Sequence, residues 1–217
     1  MKNKNQRNFY IATYMLLAFM LWTAAIQMID VQAIGPQGSS VGFATINGFV
    51  HNLTGVHMSL YTITDRLGLV PLFFVMGFAL LGLIQWIQRK QLFKVDYNLL
   101  VLGGFYIVVM AVYILFEVLV VNYRPVLIEG ILEASYPSST TMLVMCVMPT
   151  AMMQINTYIK NDILKRSVAS AITAFVIFMV IGRLISGVHW FTDIIGGVLL
   201  SAGLVLIYHV IARLEII

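Results

Sequence analysis

The chain has 217 residues, 60% of them hydrophobic and 10% charged, with a mean hydropathy of +0.93. That composition excludes a soluble domain of this size and defines an integral membrane protein. The formal charge of +4 reflects where the basic residues fall between apolar runs and makes no case for nucleic acid as a partner.

Runs long enough to cross a hydrocarbon core of about 30 Å are predicted at Phe9–Ile29, Leu67–Ile87, Tyr97–Val121, Thr140–Tyr158, Val168–Ile185 and Trp190–Ala212. Six spans place both termini on one side. The expected architecture is all-α: a polytopic six-transmembrane-helix bundle with a short interfacial helix, with residues 1–217 as one domain. Short cytoplasmic loops retain Lys and Arg. Lys2, Lys4, Arg7, Arg89, Lys90, Lys94, Lys160, Lys165, Arg166 and Arg213, ten of the thirteen basic residues, fall on one face; Arg66, Arg124 and Arg183 fall on the other. Both termini are therefore expected in the cytoplasm of a multi-pass cell membrane protein.

The first span begins after a basic stretch, and its apolar length reads as a retained anchor rather than a signal peptide. Gly and Pro mark turns in the following Asp30–Ser40 segment. Val41–His57, with Asn47, His51 and Asn52, fits a short helix lying in the interface. His51 and His57 share no helical face suited to metal and read as interfacial surface. Asp65 and Arg66 read as a local ion pair opening the second span, and Pro71 allows a kink there.

The third span ends in Phe116-Glu117-Val-Leu-Val-Val-Asn122-Tyr123-Arg124-Pro125. Glu117 and Arg124 are seven apart, two helical turns, and are expected on one face. Ionisable groups at this depth are functional candidates, though a Glu117–Arg124 bridge steadying the helix end fits equally well. Glu129 and Glu133 read as solvated loop residues. Pro137-Ser138-Ser139-Thr140-Thr141 then opens the fourth span with helix-start chemistry, and first-turn amides of this kind make an anion site. Cys146, the single cysteine, reads as a packed apolar thiol, and the thirteen methionines as core filling.

Between the last two spans lies Gly182-Arg183-Leu184-Ile185-Ser186-Gly187-Val188-His189-Trp190-Phe191-Thr192-Asp193. On a helix, His189 and Asp193 share a face, so the carboxylate can orient one imidazole nitrogen while the other points outward. Arg183 can offer its planar fork of donors to an oxyanion beside that imidazole. Gly196, Gly197, Ser201 and Gly203 form a small-residue face suited to helix contact.

In order and spacing these clusters resemble the type 2 phosphatidic acid phosphatase superfamily, whose pattern is Lys-x6-Arg-Pro, then Pro-Ser-Gly-His, then Ser-Arg-x5-His-x3-Asp. The resemblance implies that His189 attacks phosphorus to form a phosphohistidine and that Asp193 orients it. Arg124 and Arg183 would hold the phosphoryl oxygens, and Ser138 with the amides around Ser139 and Thr140 would complete the cradle. It implies neither metal nor cofactor.

The sequence departs from the pattern at Glu117 for lysine, Ser139 for glycine, Thr140 for histidine and Gly182 for serine. The missing histidine is the family's general acid, a role contributing ~10²–10⁴-fold. An anion in place of lysine costs about 4 kcal/mol at about 4 Å from a phosphate with an effective dielectric near 20. Glu117 can offset this by pairing with Arg124, by meeting a cationic head group, or by carrying the proton lost at Thr140. A polyprenyl diphosphate, which expels phosphate, needs no such acid. The expected function is hydrolysis of a phosphate or diphosphate lipid through a phosphohistidine at the outer membrane face. The alternatives are a lipid phosphotransferase and a degenerate protein that binds or moves phospholipid.

Overall fold

The computed structural model describes residues 2–213; the side chain of Lys2, one of the basic residues counted above, lies outside the described residues. The chain forms α1 (Lys2–Met28), α2 (Ala44–Thr54), α3 (Met58–Leu67), α4 (Val70–Arg89), α5 (Tyr97–Val118), α6 (Ser139–Tyr158), α7 (Asp162–Ile185) and α8 (Phe191–Ala212). The described residues contain no β-strand, only isolated bridges such as Tyr123 with Ala134. Backbone groups in lipid must be satisfied within the chain, which is why the apolar runs become helices. The all-α, polytopic expectation is borne out.

Among the described residues, five stretches are long and apolar enough to cross a membrane: Lys4–Met28, Met58–Arg89, Tyr97–Val118, Asp162–Ile185 and Phe191–Ala212. The fourth predicted span, α6, is 20 residues long and lies inside the bundle, with Thr140, Thr141, Thr150 and Gln154 buried. It packs against α4, α5, α7 and α8. Its polar residues lower its hydropathy but face protein rather than lipid; Thr150 Oγ1, for example, donates to the Cys146 carbonyl at 2.8 Å. Cys146 is the buried thiol expected.

Two predicted spans change at their ends, and both changes shape the site. The second begins nine residues earlier than a hydropathy window suggests, because α3 precedes α4 and the chain breaks at Gly68 and Leu69. Pro71 sits in the first turn of α4, where its missing N–H costs nothing. The third stops at Val118 rather than Val121, leaving residues 119–138 irregular.

Aromatic and aliphatic side chains from α1, α5, α6 and α8, among them Phe19, Leu102, Tyr106, Met142 and Leu200, form the main core. The small-residue face of α8 makes the close contacts expected of it. A Cβ at Gly196 would lie 2.4 Å from the Tyr136 ring, and one at Gly203 2.7 Å from Leu16. The short helix α2 is clamped to the start of α8: buried Asn47 accepts from the Thr192 amide at 3.1 Å and donates to Thr192 Oγ1 at 3.0 Å.

Gly187 turns the chain from α7 toward α8 with φ +69°, and a Cβ there would stand 1.9 Å from the Gly55 carbonyl oxygen. Gly187→Ala is expected to destabilise the protein by about 1–3 kcal/mol from backbone strain alone, read as a lower thermal unfolding midpoint in detergent. An unchanged midpoint would contradict this packing.

Candidate active site

His189 lies in the short connection before α8, not on the helix, because the helix starts at Phe191. The expected direct contact between His189 and Asp193 on one helical face is therefore corrected: Nδ1 and Oδ2 are 3.9 Å apart, too far for a hydrogen bond. Ser135 fills the gap. Its hydroxyl donates to Asp193 Oδ2 at 2.5 Å and lies 3.1 Å from His189 Nδ1. Asp193 Oδ2 also accepts from the Trp190 amide at 2.9 Å, and Oδ1 from the Asn122 side chain at 3.3 Å.

On the other side of the ring, Arg183 Nη2 stands 3.0 Å from His189 Nε2. Guanidinium only donates, so Nε2 accepts and Nδ1 carries the hydrogen. Burial first, then the charges of Arg183 and Arg124, push the imidazole well below its ordinary pKa. The ring is thus neutral, with the Nε2 lone pair directed at Arg183.

Arg183 is 1% exposed and Arg124 8%. Their guanidinium carbons lie 5.0 and 5.9 Å from the centre of the Tyr61 ring, whose π face attracts cations. Arg183 Nη1 is 3.7 Å from Asp65 Oδ1, and Arg124 Nε is 3.0 Å from Glu133 Oε2. These pairs correct three expectations. Asp65 reaches Arg183 rather than serving a local pair with Arg66. Glu133 holds Arg124 rather than standing free in solvent. Glu117 does not bridge to Arg124, because α5 has ended before the chain reaches the arginine.

The two arginines open on a cavity of about 650 Å³, lined also by Tyr61, Glu117, Ser139 and Thr140. Arg124 Nη1 and Nε and Arg183 Nη1 and Nε make no well-directed hydrogen bond although they are buried. An unsatisfied buried donor costs about 1–3 kcal/mol, more when charged, so this wall is built to accept oxygen atoms. The N-terminus of α6 reaches the same cavity at Ser139 and Thr140. Ser138 is fully buried behind it, its hydroxyl without a partner and its amide donating to the Asp193 carbonyl at 3.1 Å.

Two departures from the motif pattern have packing explanations. At Gly182 a Cβ would come within 2.8 Å of Thr64 Cγ2, so the glycine lets α3 close onto α7. Thr140 turns its methyl toward Gly68 at the α3–α4 break, 3.2 Å from where a Cβ would stand. His51, expected on the surface, instead tilts against Trp190 with ring centres 5.4 Å apart. Ser135, Asn122 and Tyr61 join the site without any motif signal, since each meets the side chains of the recognised motifs only through tertiary contacts; those of Ser135 with His189 and of Asn122 with Asp193 span 54 and 71 residues.

Residues 120–216 match the sequence model of the PAP2 superfamily. That segment contains Arg124, Pro137, Ser138, Arg183, His189 and Asp193 and leaves Glu117 outside it, so the resemblance carried by the three motifs is borne out. The chain also superposes on the crystal structure of a transmembrane PAP2-type phosphatidylglycerolphosphate phosphatase from Bacillus subtilis. The TM-score is 0.60 at 20% identity, with 96% of this chain and 98% of the other covered; the two share a fold. No curated protein matches the chain at a significant level.

If these guanidinium groups form the anion seat, inorganic phosphate should bind and raise the thermal midpoint. Arg124→Ala and Arg183→Ala should each weaken that binding about tenfold or more, the loss of a charge-assisted hydrogen bond of about 1.5–3 kcal/mol. Equal affinity in either variant, measured by calorimetric titration, would contradict the assignment.

Proposed function

We propose that the protein is a membrane lipid phosphatase that hydrolyses a phosphate or diphosphate lipid through a phosphohistidine on His189. The observation that carries this reading is the convergence of two buried guanidinium groups, with Arg124 Nη1 and Arg183 Nε left without a partner, beside a neutral imidazole with Nε2 3.0 Å from Arg183. Incoming phosphoryl oxygens take the donors of both arginines and draw Arg183 off Nε2. The lone pair then attacks phosphorus and the bond to the leaving oxygen breaks, its electrons staying with that oxygen. Water cleaves the P–N bond in the second step, returning the electron pair to Nε2.

Asp193 orients the imidazole, and Ser139 and Thr140 frame the seat at the start of α6 with Ser138 buried behind them. Glu117, on the wall of the same cavity, gives its proton to the leaving alkoxide of a monoester and recovers one from the attacking water. The distribution of basic residues supports cytoplasmic termini and a site facing outward, and the whole chain acts as one unit. A second cavity of about 600 Å³ between α4 and α5, lined by apolar residues including Phe78, Gly82, Gly104 and Met110, supports a substrate with hydrocarbon chains. It lies along the two helices that carry Leu72 and Tyr113 to the edge of the polar cavity.

Purified protein should release phosphate from at least one of phosphatidic acid, phosphatidylglycerol phosphate and a polyprenyl diphosphate, and His189→Ala should reduce that release at least about a thousandfold, as for loss of a nucleophile. A fully active His189→Ala variant would refute the mechanism and favour a binding or transport protein. Glu117→Gln should lower turnover of a monoester by about 10²–10⁴-fold and leave a diphosphate substrate within about tenfold of the parent. Full retention of monoester turnover would remove Glu117 from the acid role.

A further inference from the structure

The four-residue spacing of His189 and Asp193 suggests a direct pair, yet here the two side chains stand 3.9 Å apart, beyond hydrogen-bond reach. We infer that Ser135 is the positioning residue that couples Asp193 to His189, its hydroxyl bridging them and fixing the imidazole in the tautomer that leaves Nε2 free to react. Its catalytic consequence rests on the function proposed above; its structural content does not.

The hydrogen-bond inventory dictates the arrangement from both ends. A serine hydroxyl has one proton and two lone pairs, and an ionised carboxylate only accepts. Ser135 therefore spends its proton on Asp193 Oδ2 at 2.5 Å, and a lone pair faces His189 Nδ1 at 3.1 Å. Nδ1 must then carry hydrogen. Arg183, which can only donate, independently requires the same tautomer from the Nε2 side.

Each member of the chain is itself fixed. Ser135 is 3% exposed, and its amide donates to the Asn122 carbonyl at 2.9 Å. Asn122 in turn donates to Asp193 Oδ1, and the Trp190 amide closes the carboxylate from the helix side. The neighbouring Tyr136 is wedged against Gly196 and stacked on Phe19 at 6.1 Å. As the N–P bond forms, the ring acquires positive charge while Nδ1 keeps its proton. The aligned Oγ–H dipole then connects that charge to Asp193 without any proton leaving the chain. Removing the hydroxyl leaves both Nδ1–H and Oδ2 one partner short in a dry site, and the aspartate can no longer act on the ring.

The test combines kinetics with ¹⁵N-histidine NMR on full-length protein in detergent, the His189 signals being identified by their loss in His189→Ala. Ser135→Ala is expected to lower kcat about 10–100-fold, as for other outer-shell partners of a reactive histidine, with KM within about threefold. Asp193→Asn and the Ser135→Ala/Asp193→Asn pair should differ by less than about threefold, because residues acting as one unit are not additive. Because Arg183 also holds the Nδ1–H tautomer from the Nε2 side, the comparison is made with that arginine removed: the Nδ1–H form should dominate in Arg183→Ala and give way to a tautomer mixture in the Ser135→Ala/Arg183→Ala pair. Additive losses, or an unchanged tautomer in the Ser135→Ala/Arg183→Ala pair, would overturn the inference. A parent protein inactive on every lipid phosphate would defeat the proposed function, while the tautomer comparison would still decide the role of Ser135.

Discussion

The site is assembled around one fully buried carboxylate. Asp193 receives hydrogen bonds from the segment after α5 through Asn122, from the segment before α6 through Ser135, and from the start of α8 through the Trp190 amide. Its own backbone carbonyl takes the Ser138 amide. An isolated carboxylate in a dry interior is prohibitively expensive and persists only when its acceptor positions are filled. Filling them ties both ends of the α5–α6 connection to the start of α8, so the same contacts that make the burial tolerable also place His189 against Arg183.

The second constraint is a pair of like charges. Arg124 and Arg183 face the same tyrosine ring, and each has one carboxylate within ion-pair distance: Glu133 for the first and Asp65 for the second. Both carboxylates are far more exposed than the guanidinium groups they attend, so they weaken the positive field at the cavity without filling it. No single carboxylate in this arrangement reaches both arginines, and the planar forks suit a tetrahedral oxyanion between them, as the function proposed above requires. Arg183 meanwhile stands 3.0 Å from Nε2 and covers the lone pair.

Much of the site was legible in the sequence because its key residues sit in short, chemically distinct clusters: Arg124-Pro125, Pro137-Ser138 and Arg183 with His189 and Asp193. The helices were legible too, since apolar runs of span length have few alternatives. What failed was geometry at helix ends. Seven-residue spacing places Glu117 and Arg124 on one face only if the helix continues, and α5 stops at Val118. Four-residue spacing joins His189 to Asp193 only if both are helical, and α8 begins two residues after the histidine. Ser135, Asn122, Tyr61 and Glu133 carried no local signal, because their roles depend on which distant segments the bundle brings together. The glycine at 182 and the threonine at 140, departures when read as motif letters, become packing choices once α3 is seen lying against α7 and the α3–α4 break against α6.

The central claim is chemical: the imidazole of residue 189 becomes covalently phosphorylated during turnover. The most direct measurement is rapid quenching of the enzyme with a lipid substrate labelled on its reacting phosphate, followed by mapping of the label on proteolytic peptides. The account predicts acid-labile, base-stable phosphate on the peptide containing His189, formed before phosphate release. Turnover with no label on that peptide, or with label on another residue, would contradict it.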